Sequence, residues 1–142
     1  MKVYLAAAWS RKNEIKKIAD ELIELGIDIQ ARWLNEPNGG KHASSAFLQS
    51  RAEIDLDDVD ACDVLVRFSD DLSAPTVSSH LATGSRMFEM GLAYHNGATI
   101  IVVGGHQCVF DYLEDIVHLP DVDALKMYLS GSHGNDDGSG YF

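Results

Sequence analysis

The chain has 142 residues, 46% of them apolar and 23% charged, the makeup of one ordinary globular domain large enough to bury its own core. With 22 acidic against 11 basic residues the net charge is −11, which repels nucleic-acid phosphates and excludes a basic binding stripe. No apolar run approaches the ~18 residues of a membrane span, so neither a nucleic-acid polymer nor a membrane is an expected partner.

The N-terminus runs directly into strand-like sequence, without an apolar h-region and cleavage site. Cys62 and Cys108 both sit in apolar surroundings. The expectation is a cytoplasmic protein with two reduced, buried thiols.

Residues 2–8, KVYLAAA, read as a buried strand. Ser10 then serves as the N-cap of a helix, along which Ile15, Ile18, Ala19, Leu22 and Ile23 follow the spacing of one apolar face. Gly26 ends that helix, and Ile27–Trp33 reads as a second strand. Residues 34–43 are a loop, with Pro37, Asn38, Gly39 and Gly40 as breakers. A helix is expected from Ser44 or Ser45 to Asp60, then a strand over Asp63–Phe68, rich in β-branched and aromatic residues. Residues 69–83 read as a long polar loop, a length that is often functional. The segment GSRMFEMGLA, residues 84–93, opens a helix to about Asn96. Ala98–Val103 is nearly all apolar, as in a parallel strand covered on both faces. After Gly104 and Gly105 come a short helical piece at Val109–Leu113, a brief strand at Ile116–Leu119 and a helix over Val122–Leu129. Residues 131–142 form a polar, glycine-rich tail after a single domain, 1–130. The alternation of strands and helices predicts an α/β fold: a doubly wound, flavodoxin-like three-layer sandwich on a parallel sheet of about five strands.

Ligands of such sheets bind beyond the carboxyl ends of the strands. Segments 6–11, 69–86 and 104–108 arrive there. Glu89 stands between Phe88 and Met90, in what reads as the first turn or two of a helix. Its apolar neighbours favour the neutral form and a helix N-terminus the ionised one. A carboxylate held so is a competent nucleophile or cation stabiliser; the alternative is a residue that only complements the helix dipole. In the acidic run of residues 53–63 most carboxylates must be a solvated face, but Asp55 is spaced from Val59 and Cys62 so as to lie on the apolar side. Paired with Glu89, it would complete a nucleophile and an acid/base. Ser10 with Arg11, and Ser85 with Arg86, would either bind an anion at helix starts or serve surface solubility. Gly91 would let its helix pack closely. The six histidines show no metal-ligand spacing, and nucleotide-binding glycine motifs and a nucleophile elbow are absent. No cofactor or metal is implied.

These pieces together resemble the nucleoside 2-deoxyribosyltransferase superfamily, which includes the nucleoside 5′-monophosphate N-glycosidases. VYLAAAW, residues 3–9, resembles the family's first strand. IDLDDVDACDVLV, residues 54–66, resembles the helix-to-strand segment that carries a catalytic aspartate. GSRMFEMGLA resembles a glycine-containing turn followed by the nucleophilic glutamate. The resemblance implies Glu89 as the nucleophile at C1′, Asp55 as the acid/base for the departing base, and Tyr4 as the residue that holds the nucleophile or the sugar. It implies substrate contacts from Ala8, Trp9, Ser10, Arg11, Thr83, Gly84, Ser85 and Arg86, with Tyr141 or Phe142 as further candidates. Thr83 stands where the transferases usually carry an acid, and Cys108 where many relatives have asparagine. The implied partner is a small nucleoside or nucleotide, and the implied assembly a homodimer or larger. Two other classes remain: a non-catalytic nucleotide-binding module, and, by fold analogy alone, an NAD-cleaving relative of TIR-like domains.

Overall fold

The computed structural model describes residues 1–37, 43–70 and 79–131, and of residues 79–83 the backbone only. The apolar runs form five parallel strands: β1 (Lys2–Ala6), β2 (Asp28–Ile29), β3 (Val64–Phe68), β4 (Thr99–Val103) and β5 (Val117–Leu119), in the order β2-β1-β3-β4-β5. Tyr4 pairs in register with Leu65, and Ala6 with Arg67. Four helices cover the sheet: α1 (Lys12–Glu24), α2 (Ser45–Ala61), α3 (Ser79–His95) and α4 (Val122–Lys126), the last continued by a π turn to Gly131. Lys126 on α4 bonds Glu21 on α1 at 3.2 Å, whereas Asn96 after α3 bonds Asp60 on α2 at 3.1 Å. These contacts put α1 with α4 on one face and α2 with α3 on the other, the expected three layers. The chain moves from β1 outward to β2, then crosses back to β3. The switch point lies between β1 and β3, where such sheets open a crevice.

The core is legible in the central strands: Val3–Ala6, Leu65, Val66 and Ile100–Val102 are all buried. Ile15, Ile18, Ala19 and Leu22 seat α1 as their spacing predicts, but Ile23 lies at the margin of that stripe and is exposed. Gly26, at φ +87°, takes the left-handed position after the Leu25 C-cap, where a side chain would be strained. Ser44 caps α2, accepting a bond from the Phe47 N–H at 3.1 Å.

Several expectations are corrected. β1 stops at Ala6, and residues 9–11 form a tight 3-10 turn closed by the Arg11 N–H on the Ala8 carbonyl at 2.9 Å. That turn delays α1 to Lys12, so Ser10 caps nothing. β2 spans two residues because the chain turns into a 3-10 helix at Arg32–Asn35. The helix α3 begins at Ser79, five residues before Gly84. A glycine inside a helix costs only about 1 kcal/mol, and the helix formers Leu81 and Ala82 precede it, so Gly84 does not punctuate the chain. The expected loop therefore ends before residue 79. Gly91 permits no close approach; a Cβ there would meet open space. Cys62 is buried, Cys108 only half-buried, and both are free.

A buried ion pair anchors the 104–112 segment. Arg67 on β3 donates to both carboxylate oxygens of Asp111, each at 2.6 Å, and neither side chain is exposed. Burial alone would raise the Asp111 carboxyl. The bonds from Arg67 and from the Gln107 backbone N–H outweigh it and hold the group at about 2. Removing one member strands the other's charge in the core. Asp111→Ala should therefore lower the unfolding free energy in urea at pH 7 by about 3–5 kcal/mol, while the double change Arg67→Met/Asp111→Leu recovers most of it.

Candidate functional site

A narrow cleft of about 150 Å³ opens at the switch point, lined by Tyr4, Ala7, Trp9, Trp33, Asp55, Ser85 and Glu89. Tyr4 comes from the middle of β1 and is itself buried. Its hydroxyl donates to Oε2 of Glu89 at 2.5 Å, across 85 residues of sequence. Trp33 is tied to β1 by its indole N–H, which donates to the Leu5 carbonyl at 2.9 Å. Trp9 lies 5.9 Å from the Trp33 ring, centroid to centroid, with the Lys12 ammonium 4.7 Å from its centre. Trp9 also borders a second cavity of about 410 Å³, shared with Ser10, Lys12, Asn13 and Pro37.

The electrostatics of the cleft follow from dryness. Burial raises Glu89 to about 7; the Tyr4 bond opposes this and the Asp55 charge adds to it. Burial also raises Asp55 to about 6, helped by the charges of Glu36 and Asp58 and opposed by Arg51 and Arg32. Asp55 Oδ1 is buried and has no hydrogen-bond partner. Burial first, then the charge of Glu89 and the bond to it, hold Tyr4 protonated far above the usual phenol range, so it remains a donor. A carboxylate with a phenol donor on one oxygen, facing a second carboxyl that still carries a proton in a fraction of molecules near neutrality, can attack an electrophilic carbon while a leaving group is protonated.

Other sequence candidates sit elsewhere. Ala8 is buried, and Ser10 faces the second cavity. Arg11 binds Glu14 at 2.8 Å and the Ser69 carbonyl at 2.8 Å. Arg86 is fully buried and paired with Asp70, which Gln107 also bonds at 3.3 Å. Because α3 starts at Ser79, the stretch Gly84–Arg86 is helix interior rather than the expected helix N-terminus. Glu89 likewise stands in the third turn of α3, beyond the reach of the dipole invoked for it. Gly84 is exposed. The side chain of Thr83 and residues Tyr141 and Phe142 lie outside the described residues.

Sequence reasoning missed Ala7 and Trp33 as cleft walls, and it missed Asp58. In the acidic run Asp58 is buried, held by Arg32. An aromatic residue just past β2 was the available signal for Trp33.

No protein-family model matches the sequence, and no curated protein matches it. Solved structures do. The 2-deoxyribosyltransferase of the psychrotolerant bacterium Bacillus psychrosaccharolyticus is similar with a TM-score of 0.64 and 15% identity, over 89% of this chain and 90% of that one. The chain has the 2-deoxyribosyltransferase fold. The same fold is found in the Clostridium botulinum CMP N-glycosidase BcmB, at TM-score 0.55 and 18% identity over 91% and 98% of the two chains. A conserved protein of Enterococcus faecalis V583 shares it at TM-score 0.58 and 16% identity, over 91% and 99%. Among the described residues no helix is long and apolar enough to cross a membrane.

Proposed function

We propose that the chain breaks the N-glycosidic bond of a nucleoside by double displacement at Glu89. The observation that carries this reading is the meeting of Tyr4, Asp55 and Glu89 in one small, dry cleft. Glu89 Oε1, the oxygen without the Tyr4 bond, forms a bond to C1′. The C1′–N bond breaks, its electron pair passes to the base nitrogen, and the Asp55 proton follows it there. Asp55, now ionised, takes a proton from water in hydrolysis or from an incoming base in transfer, and that acceptor releases the sugar from Glu89. Trp9 and Trp33 offer aromatic walls for the base. Both enzymes named among the fold neighbours act at this kind of bond, which supports the reading.

The charge of the cleft favours an uncharged nucleoside over its monophosphate. The described lining holds two carboxylates and no lysine or arginine. The reading includes a homo-oligomer, for which the exposed Phe88, Phe110 and Tyr112 offer apolar surface; sedimentation velocity tests it.

The deciding experiment incubates the protein with nucleosides, their 5′-monophosphates and NAD, and follows free base by chromatography. Base should be released from nucleosides faster than from monophosphates, and not by Glu89→Ala. Binding without release from any substrate would instead mark a nucleotide-binding module. Release that persists unchanged in Glu89→Ala would sink the mechanism.

A further inference from the structure

Asp55 lies in the middle of a ladder of charges. Arg51, Asp55 and Asp58 occupy positions i, i+4 and i+7 of α2 and so share one face. The segment 32–37 runs alongside that face in the opposite direction. At its near end the backbone N–H of Arg32 donates to Asp58 Oδ2 at 2.8 Å, and its guanidinium reaches Asp58 Oδ1 at 3.0 and 2.9 Å. At its far end Arg51 pairs with Glu36 Oε2, donates to the Pro37 carbonyl at 2.6 Å and lies 4.5 Å over the Phe47 ring. Lys12 fastens this end by donating to the Glu36 carbonyl. Between the two pairs Asp55 has no cation of its own. Among the described residues, Asp55 Oδ1 and Glu36 Oε1 are the buried carboxylate oxygens that lack a donor.

We propose that Glu36 and Asp58 are positioning residues that hold Arg51 and Arg32 off Asp55, so that Asp55 retains the proton it delivers to the leaving base. The inference rests on the glycosidic reading for the fate of that proton. The groups that face Asp55 are Glu36 and Arg32 from the 32–37 segment, Arg51 and Asp58 from α2, Tyr4 from β1 and Glu89 from α3. Only the two arginines favour its ionised form, and both are occupied by other carboxylates. Asp55 is half-buried with its Oδ1 buried and lacking a donor, which penalises the ionised form more than the neutral one. Were Glu36 replaced by a neutral residue, Arg51 would turn along its own helix face onto Asp55, one turn away, and lower its affinity for the proton.

The test is a titration that needs no substrate. Protein carrying 13C-labelled aspartate is titrated by NMR, the Asp55 signal being assigned by its loss in Asp55→Asn. In the parent the signal should turn over at about pH 6. Glu36→Gln should bring that midpoint down to about pH 5 or below, as an opposite charge at contact does, and Glu36→Gln/Arg51→Met should restore it. Asp58→Asn, which frees Arg32, is the second variant and should act in the same direction. With the midpoint at about pH 5, turnover at pH 7 should fall by about tenfold, and only for nucleosides whose base needs a proton to leave. A midpoint unmoved in both single variants overturns the proposal, as does a change that the double variant fails to reverse. Base release by the parent reports on the glycosidic reading separately.

Discussion

Glu89→Gln should abolish turnover and, in the same protein, improve stability at alkaline pH relative to acid. The first effect follows from the proposed covalent step. An amide cannot capture C1′, and removal of a nucleophile of this kind costs on the order of 10⁴-fold or more in kcat/KM. The second follows from the dryness that makes the site work. The carboxyl has an ordinary value of 4.5 and stands at about 7 in the folded chain. Between those values the folded state binds the proton that the unfolded state has lost. The resulting stabilisation is complete below about pH 4.5 and is lost as pH rises through 7. Glutamine has no such equilibrium, and its carbonyl can still accept the Tyr4 hydroxyl. From pH 4.5 to pH 8 the difference in unfolding free energy should therefore move in favour of the variant, by up to about 3 kcal/mol. Urea unfolding of both proteins at the two pH values measures it. A difference that is flat with pH would mean that Glu89 titrates alike in the folded and unfolded chain, and the cleft would lose its nucleophile's distinguishing feature.

The arginines near the strand ends are held in ion pairs of their own. Arg67 is paired with Asp111, Arg86 with Asp70, and Arg11 with Glu14. Each pair fastens a segment that borders the sheet's carboxyl end. None of the three is among the charges that act on Glu89 or Asp55, whose raised values come first from burial.

The parts of this arrangement legible in sequence are those set by local pattern. β1, β3 and β4 are apolar runs because both faces of a central parallel strand are covered. Gly26 and Ser44 announce helix ends through chemistry confined to one turn. Glu89 stood out because a lone carboxylate interrupts an apolar helix face. The start of α3 was misplaced because Gly84 reads as punctuation, although a helix supported on both sides tolerates it. The ion pairs were beyond reach for a different reason. Arg67 and Asp111 are 44 residues apart and Arg32 and Asp58 are 26 apart. Nothing near either partner distinguishes a buried charge from a solvated one. The ladder beside Asp55 depends on how segment 32–37 lies against α2, which is tertiary information.

The pH–rate profile should be a bell with its maximum between about pH 6 and 7, and Tyr4→Phe should lower that maximum by about 10- to 100-fold, the worth of a hydrogen bond to a charged group. The cleft carries two protons at low pH and none at high pH, and neither state can react: the first lacks an ionised nucleophile, the second an acid. Between them one proton remains, and its place decides the rate. On Asp55 it makes a competent pair with ionised Glu89; on Glu89 it makes an inert one. With Glu89 at about 7 and Asp55 at about 6 the proton rests mostly on Glu89, and two contacts keep the productive placement from being rarer still. The Tyr4 hydroxyl donates to Glu89 and stabilises its ionised form, while the Glu36 and Asp58 charges favour the neutral form of Asp55. Phenylalanine removes the first contact without emptying the space of the ring. Glu89 then competes better for the proton, the productive form becomes rarer, and the basic limb of the bell, which follows the group that holds its proton longest, moves to higher pH. Asp55→Asn should instead erase the basic limb. Steady-state rates of base release from pH 4.5 to 9 for the parent and both variants separate these effects. A basic limb that stays in place in Tyr4→Phe would remove Tyr4 from the proton balance and leave it a structural role in β1.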